Sequence, residues 1–175
     1  MAYLENENIV LRALEPEDLD DLYRWENDSE LWKYGLTIAP YSKFALRDYL
    51  LGATNGLIHN RQLRLVTVDK KTGASIGTID LYDYDPINLR AGIGILLDAA
   101  YRNKGFGKEI LGLVKEYAFH VLHLKQLYAC IPENNASSFK LFAACGYEQC
   151  GLLKAWRKTS DGFDNVHIVQ LLGTR

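Results

Sequence analysis

The run Arg102-Asn103-Lys104-Gly105-Phe106-Gly107-Lys108 concentrates three cations and two glycines in seven residues. It follows a short apolar segment, Ala91 to Leu97. It opens a stretch whose apolar residues fall at Phe106, Ile110, Leu113/Val114, Tyr117 and Val121, the spacing of one helical face. A strand, a glycine turn and a helix start make an anion cradle. N–H groups at a helix start lack intrahelical partners, and the helix dipole adds positive potential there. Gly105 and Gly107 let a ligand approach the backbone, and Arg102, Lys104 and Lys108 add charge. The ligand this predicts is a phosphate, a diphosphate first. Gly107-Lys108-Glu109 does not complete a P-loop, and Gly92-x-Gly94 lacks the third glycine of a dinucleotide fingerprint. An ordinary loop-to-helix turn has the same composition, so the surrounding elements must decide.

Those elements can be placed in order. Asn8 to Leu14 alternates as a strand. Pro16 suits the first turn of a helix, Glu17 and Asp18 its positive end, and Leu19, Leu22 and Tyr23 its apolar face. Asn27 to Pro40 is irregular and aromatic. Ser42 caps a second helix through Phe44, Leu46, Tyr49, Leu50 and Leu51. Gln62 to Asp69 and Ile76 to Asp83 are strands joined at Lys70 to Gly73, and Leu89 to Leu97 returns beside them. After the long helix, Gln126 to Ile131 is a strand, parallel to its predecessor because a helical crossover joins them. A helix then runs from a cap at Asn134 or Asn135 to a stop at Gly146. Tyr147 to Leu153 and Asn165 to Leu172 are the last strands, with Thr159 to Gly162 as their turn.

Composition bounds the rest. The length of 175 residues predicts one domain, 1–175, and 48% hydrophobic residues can fill a core. A net charge of -2 argues against a nucleic-acid partner. Cys130, Cys145 and Cys150 have no C-x-x-C spacing and read as reduced, small hydrophobes. No stretch suits a membrane span or a signal peptide, so the expected location is cytoplasmic. The histidines show no ligand spacing, and no metal is expected.

A second motif gives the cradle a context. Asn135, Ser138 and Phe142 share one helix face within Asn135-x-x-Ser138-x-x-Leu141-Phe142-x-x-x-Gly146-Tyr147. This resembles the segment Asn-x-x-Ser/Ala-x-x-Leu-Tyr-x-x-x-Gly-Phe/Tyr of the GNAT superfamily of N-acetyltransferases. Arg102-x-x-Gly105-x-Gly107 is similar to that superfamily's acyl-CoA pyrophosphate loop, Gln/Arg-x-x-Gly-x-Gly/Ala. The two occur in order, and the resemblance covers nearly the whole chain. Within the superfamily it looks most like the spermidine/diamine acetyltransferases, with ribosomal-protein N-terminal acetyltransferases as near relatives.

The resemblance implies an α/β (α+β) fold: a mixed, mostly antiparallel sheet of six to seven strands, helices on both faces, and two splayed parallel central strands. It implies acetyl-CoA as co-substrate and a small amine, a diamine or polyamine, as acceptor; a homo-oligomer is compatible. Ile95, Leu96 and Leu97 would pair through their backbones with the pantetheine arm, and the Leu97 N–H would polarise the thioester carbonyl. Arg102, Asn103, Lys104, Gly105, Phe106, Gly107 and Lys108 would hold the pyrophosphate. Asn135, with Ser138 one turn on, would contact the pantetheine. Asp80, matching a family acid, would project alone into a cleft and meet the amine as base or cation attractor.

Three departures stand against a full match. Gly92 replaces a glutamate that some members use. Phe142 replaces a tyrosine that often protonates the leaving thiolate, leaving Ser138 or water. Leu36 to Tyr41 lacks the glutamates of the spermidine enzymes. Two alternatives therefore accompany the small-amine reading: acetylation of a protein N-terminus, and an acyl-CoA-binding module without turnover.

Overall fold

The computed structural model describes residues 3–35, 37, 39–53 and 56–173. Its strands are β1 (Ile9–Ala13), β2 (Leu63–Asp69), β3 (Ser75–Asp85), β4 (Arg90–Leu97), β5 (Gln126–Pro132), β6 (Glu148–Thr159) and β7 (Gly162–Leu172). Its helices are α1 (Leu19–Glu26), α2 (Ser29–Trp32), α3 (Lys43–Ala53), α4 (Gly56–Asn60), α5 (Phe106–His120) and α6 (Ala136–Ala144). The strands form one sheet in the order β1-β2-β3-β4-β5-β7-β6, antiparallel except for β4 beside β5. The mixed fold with one parallel pair is therefore as the sequence predicts.

The two sheet faces carry different helices. Ile110, Leu111 and Val114 of α5 and Phe142 of α6 pack with Ala91, Ile93, Leu127 and Ala129 of the central strands. On the other face Leu22 and Trp25 of α1 and Leu46 of α3 enclose Leu96. Alternation along β4 explains the division: Ala91, Ile93, Ile95 and Leu97 face α5, whereas Gly92, Gly94 and Leu96 face α1 and α3.

Several boundaries move. The irregular region contains α2, capped by the Asp28 carboxylate, which accepts from the Glu30 N–H at 2.9 Å. The last two strands run to their turn, because residues such as Lys154, Trp156 and Lys158 extend as an exposed hairpin and need no core face. Cys130 and Cys150 are exposed, not core; only Cys145 is partly covered. Leu36 and Ile38, in the segment lacking the glutamates, lie outside the described residues.

One buried charge pins the first strand to the turn before α1. Asp18 accepts from Arg12 Nη1 at 2.7 Å and Nη2 at 2.8 Å, and from the Glu15 N–H at 2.8 Å. Burial alone would raise the Asp18 carboxyl; these bonds outweigh it and hold the group below the usual range. A depressed folded-state value stabilises above the unfolded carboxyl pKa of ~3.9, and that stability is lost as pH falls through the folded value. Thermal melts of Asp18→Asn are therefore expected to lose part of the wild-type dependence on pH below ~4. An acid limb unchanged by the substitution would remove Asp18 from this role.

Candidate functional site

The β4–β5 ladder is short. Arg90 pairs with Gln126, Ala91 with Leu127 and Gly92 with Tyr128, and there it stops. Beyond Gly92, β4 continues to Leu97 along β3, while β5 continues to Pro132 along β7. The two strands diverge, leaving a wedge between Ile93–Leu97 and Ala129–Pro132.

Register decides which β4 groups face the wedge. Leu97 lies opposite Gly77, and the Asp98 N–H donates to Ile76 O at 2.9 Å, which makes Leu97–Gly77 a pair without direct bonds. The bonds to β3 then fall on Leu96, opposite Thr78. Ile93, Ile95 and Leu97 turn their N–H and C=O groups toward the wedge. Leu96 is a correction to the sequence reading: its backbone belongs to β3, and its side chain packs against Leu22 and Trp25. The Leu97 carbonyl accepts from Arg102 Nε at 2.9 Å, tying the basic turn to the end of β4.

At the open end of the wedge, Asp98 caps the turn Ala99–Tyr101, and Gly105, with φ of 91°, opens α5. Asn103 is also left-handed, with φ of 60°. Among the described residues, the N–H groups from Asn103 to Gly107 have no backbone acceptor, whereas those of Arg102 and Lys108 donate to Ala99 and Gly105 carbonyls. The cradle is thus narrower than the sequence suggests. The two glycines also differ. Around Gly105 there is open space; at Gly107 an added Cβ would stand 2.9 Å from Leu141 Cδ2, so Gly107 serves the packing of α5 on α6. Asn135 caps α6, its Oδ1 accepting from the Ser138 N–H at 3.2 Å, and this leaves its Nδ2 to donate elsewhere.

The face of the sheet toward α1 and α3 holds the other candidates. Asp80, opposite Gly94, is not alone. Its Oδ1 accepts from Arg64 Nε at 2.7 Å and Gln62 Nε2 at 3.0 Å, while Arg64 Nη1 donates to Glu26 Oε1 at 2.6 Å. Phe142, by contrast, lies on the α5 and α6 face, where it is 2% exposed and packs edge-on against Tyr147.

Tyr82 is the residue that sequence reasoning missed. It lies opposite Gly92, and a Cβ at Gly92 would stand 2.2 Å from its ring. The ring therefore covers the position of the absent glutamate and reaches over β4 to the Cys130 backbone, where β5 has just left the ladder. Burial pushes its phenol well above 10, so the proton stays on. The paired tyrosines Tyr82 and Tyr128 meet edge-on at 6.0 Å. Two open depressions flank this face. One of about 610 Å³ is lined by Asp83, Arg90, Gln126 and Tyr128. The other, about 780 Å³, lies between Trp32, Thr37 and the terminal hairpin at Trp156, Arg157 and Phe163. Among the described residues no cluster of metal-ligating side chains occurs, and no helix is long and apolar enough to cross a membrane.

Comparison with known proteins gives this geometry relatives. The family model described as an acetyltransferase (GNAT) domain matches residues 8–148. The chain is 30% identical over 173 residues to the uncharacterized N-acetyltransferase p20 of Bacillus licheniformis, covering 98% of this chain and 97% of that protein. It is 27% identical over 148 residues to a spermidine N(1)-acetyltransferase of Vibrio cholerae, covering 85% and 83% of the two. The crystal structure of the Vibrio cholerae spermidine N-acetyltransferase with CoA and spermine has a TM-score of 0.85 at 24% identity, over 95% of this chain and 96% of that one, a likeness of fold.

Proposed function

The chain belongs to the GNAT acetyltransferase family, and from that premise we propose that it transfers the acetyl group of acetyl-CoA to the primary amine of a small aliphatic amine. The observation that carries this reading is the split sheet aligned with the cradle. Ile93, Ile95 and Leu97 offer strand-like partners along the wedge, and Asn103–Gly107 offer N–H groups to a diphosphate at its end. Acetyl-CoA has a diphosphate, two amides and an activated thioester in that order along its arm, and supplies the acetyl group. With the diphosphate at the Leu97 end the thioester lies farther in, so in this reading the Ile95 N–H, rather than the Leu97 N–H that the resemblance implies, polarises its carbonyl, an oxyanion-type contribution. Asn135 Nδ2 binds the pantetheine arm.

The acceptor arrives on the face of Asp80 and Tyr82, since α5 and α6 fill the other. An alkylamine has a pKa near ~10.4 and arrives mostly protonated at neutral pH. Two carboxylates, Glu26 and Asp80, against one guanidinium leave an excess negative charge that favours its approach. Water removes its proton, because Asp80 is already bonded to Arg64. The Tyr82 hydroxyl, at the head of the wedge, holds the proton that the leaving thiolate takes, the task Phe142 cannot perform.

The names of the spermidine acetyltransferase relatives put diamines and polyamines first among acceptors to test. The depression of about 780 Å³ beside the hairpin favours a second reading, an extended peptide N-terminus as acceptor. Free-thiol release from acetyl-CoA with monoamines, diamines, polyamines and short peptides separates them. Turnover of small amines is the expected result. Turnover of peptides alone selects the second reading, and CoA binding without any turnover leaves an acyl-CoA-binding module in place of both.

A further inference from the structure

Arg64 occupies a cage suited to a cation that is not part of the protein. Its guanidinium is held by Glu26 from α1 at 2.6 Å and Asp80 from β3 at 2.7 Å, and its Cζ lies 5.3 Å from the centre of the Tyr49 ring on α3. Two carboxylates and an aromatic face are what a protein uses to bind an organic ammonium or guanidinium. The three charged side chains keep 18%, 21% and 15% exposure, so the group is largely covered yet reachable from solvent. It also adjoins the wedge. Arg64, Asp80 and Gly94 form one cross-strand row over β2, β3 and β4, and β4 is the strand whose far edge faces the gap. Gly94 adds no side chain to this row; a Cβ there would meet only Tyr82 Cε1, at 3.7 Å. A short chain could therefore run from the wedge to the cage without crossing a side chain of β4.

We propose that Arg64 takes the place of an acceptor's second cationic group and so sets the amine preference: the chain favours amines with one cationic centre, and removing Arg64 opens the cage to diamines. The physical reason is charge matching. With Arg64 in place, the group has one carboxylate in excess, enough for one ammonium. Without it, Glu26 and Asp80 are left facing each other under partial cover, a costly arrangement that a bound dication relieves. The preference rests on the acetyltransferase reading given above; the cage does not.

The test compares wild type with Arg64→Ala and with Arg64→Lys, which keeps the charge. Without acetyl-CoA, 1,4-diaminobutane and low millimolar guanidinium are expected to raise the melting temperature of Arg64→Ala by several degrees, and to leave wild type and Arg64→Lys unmoved. With acetyl-CoA, the ratio of kcat/KM for 1,4-diaminobutane to that for butylamine is expected to rise at least ~10-fold in Arg64→Ala. If Arg64→Ala does not fold alone, Arg64→Gln takes its place, with refolding yield in either cation as a further readout. A melting temperature and yield indifferent to both cations overturn the cage. A response to the cations with an unchanged diamine-to-monoamine ratio overturns the specificity role. Absence of turnover with every amine in every variant sinks the acetyltransferase reading, while the melting data still decide the cage.

Discussion

Gly105→Glu is expected to abolish the stabilisation of this protein by acetyl-CoA. A ligand that binds only the native state raises its stability by about 2.7 kcal/mol at one hundred times its dissociation constant, so binding is read as a rise in melting temperature. Gly105 stands at the start of α5 with φ of 91° and nothing within 4 Å of where a Cβ would be. Two effects add in the glutamate variant. The left-handed backbone strains any side chain by about 1–2 kcal/mol, and a carboxylate is placed among the N–H groups from Asn103 to Gly107. Gly105→Ala separates them, since it introduces the strain without the charge. It should keep a reduced shift, and Gly105→Glu none. A wild-type shift in the glutamate variant would move the diphosphate away from this turn. No shift in wild type at millimolar acetyl-CoA would remove the cofactor itself.

How much of this was legible in the sequence depends on whether a feature is local. The strand-turn-helix at Leu89 to Leu122 was, because apolar period and glycine placement both report on residues close in the chain. The role of Gly107 was not: its neighbour is Leu141, on another helix. Asp80 is the more instructive case. The turn pairs Asp69 with Ala74, and carried back unchanged that register sets Arg64 opposite Ile79, with Asp80 on the other face. A bulge between Thr67 and Val68 shifts the pairing by one residue and brings Arg64 opposite Asp80. The extra residue is Ile76 on β3, and its one local sign is Gly77 inside the strand, where a Cβ would stand 2.1 Å from the Leu96 carbonyl oxygen. Tyr82 was missed for a similar reason, since only the β3–β4 register sets it over Gly92. A signal was available even so: Gly92 stands where the resemblance implies a glutamate in some members, which leaves a space, and a large residue on the adjacent strand is what fills one.

Tyr82→Phe is expected to lower kcat about 10²-fold, the contribution of a positioned general acid, while leaving the stabilisation by acetyl-CoA intact. The substitution removes only the hydroxyl, and the ring still covers Gly92. The pH profile checks the assignment. Burial raises the phenol, so its proton is kept through neutral and mildly alkaline pH, and the wild-type rate should show no basic limb from this group below pH ~10. In Tyr82→Phe the loss should shrink when the acyl donor carries a more acidic thiol, which needs no proton to leave. A purely structural role would slow good and poor leaving groups alike. Phe142→Tyr offers the complementary arm. Its ring is buried on α6, on the other side of the sheet from Tyr82, and the resemblance implies that a hydroxyl at this position serves the thiolate. In wild type it should change kcat little, because Tyr82 already supplies the proton; in the Tyr82→Phe background it should recover part of the loss. Two acids that replace each other are non-additive in this way, whereas two unrelated packing changes add. If the double variant is slower than Tyr82→Phe by the full effect of Phe142→Tyr alone, neither hydroxyl serves the thiolate, and the proton comes from water.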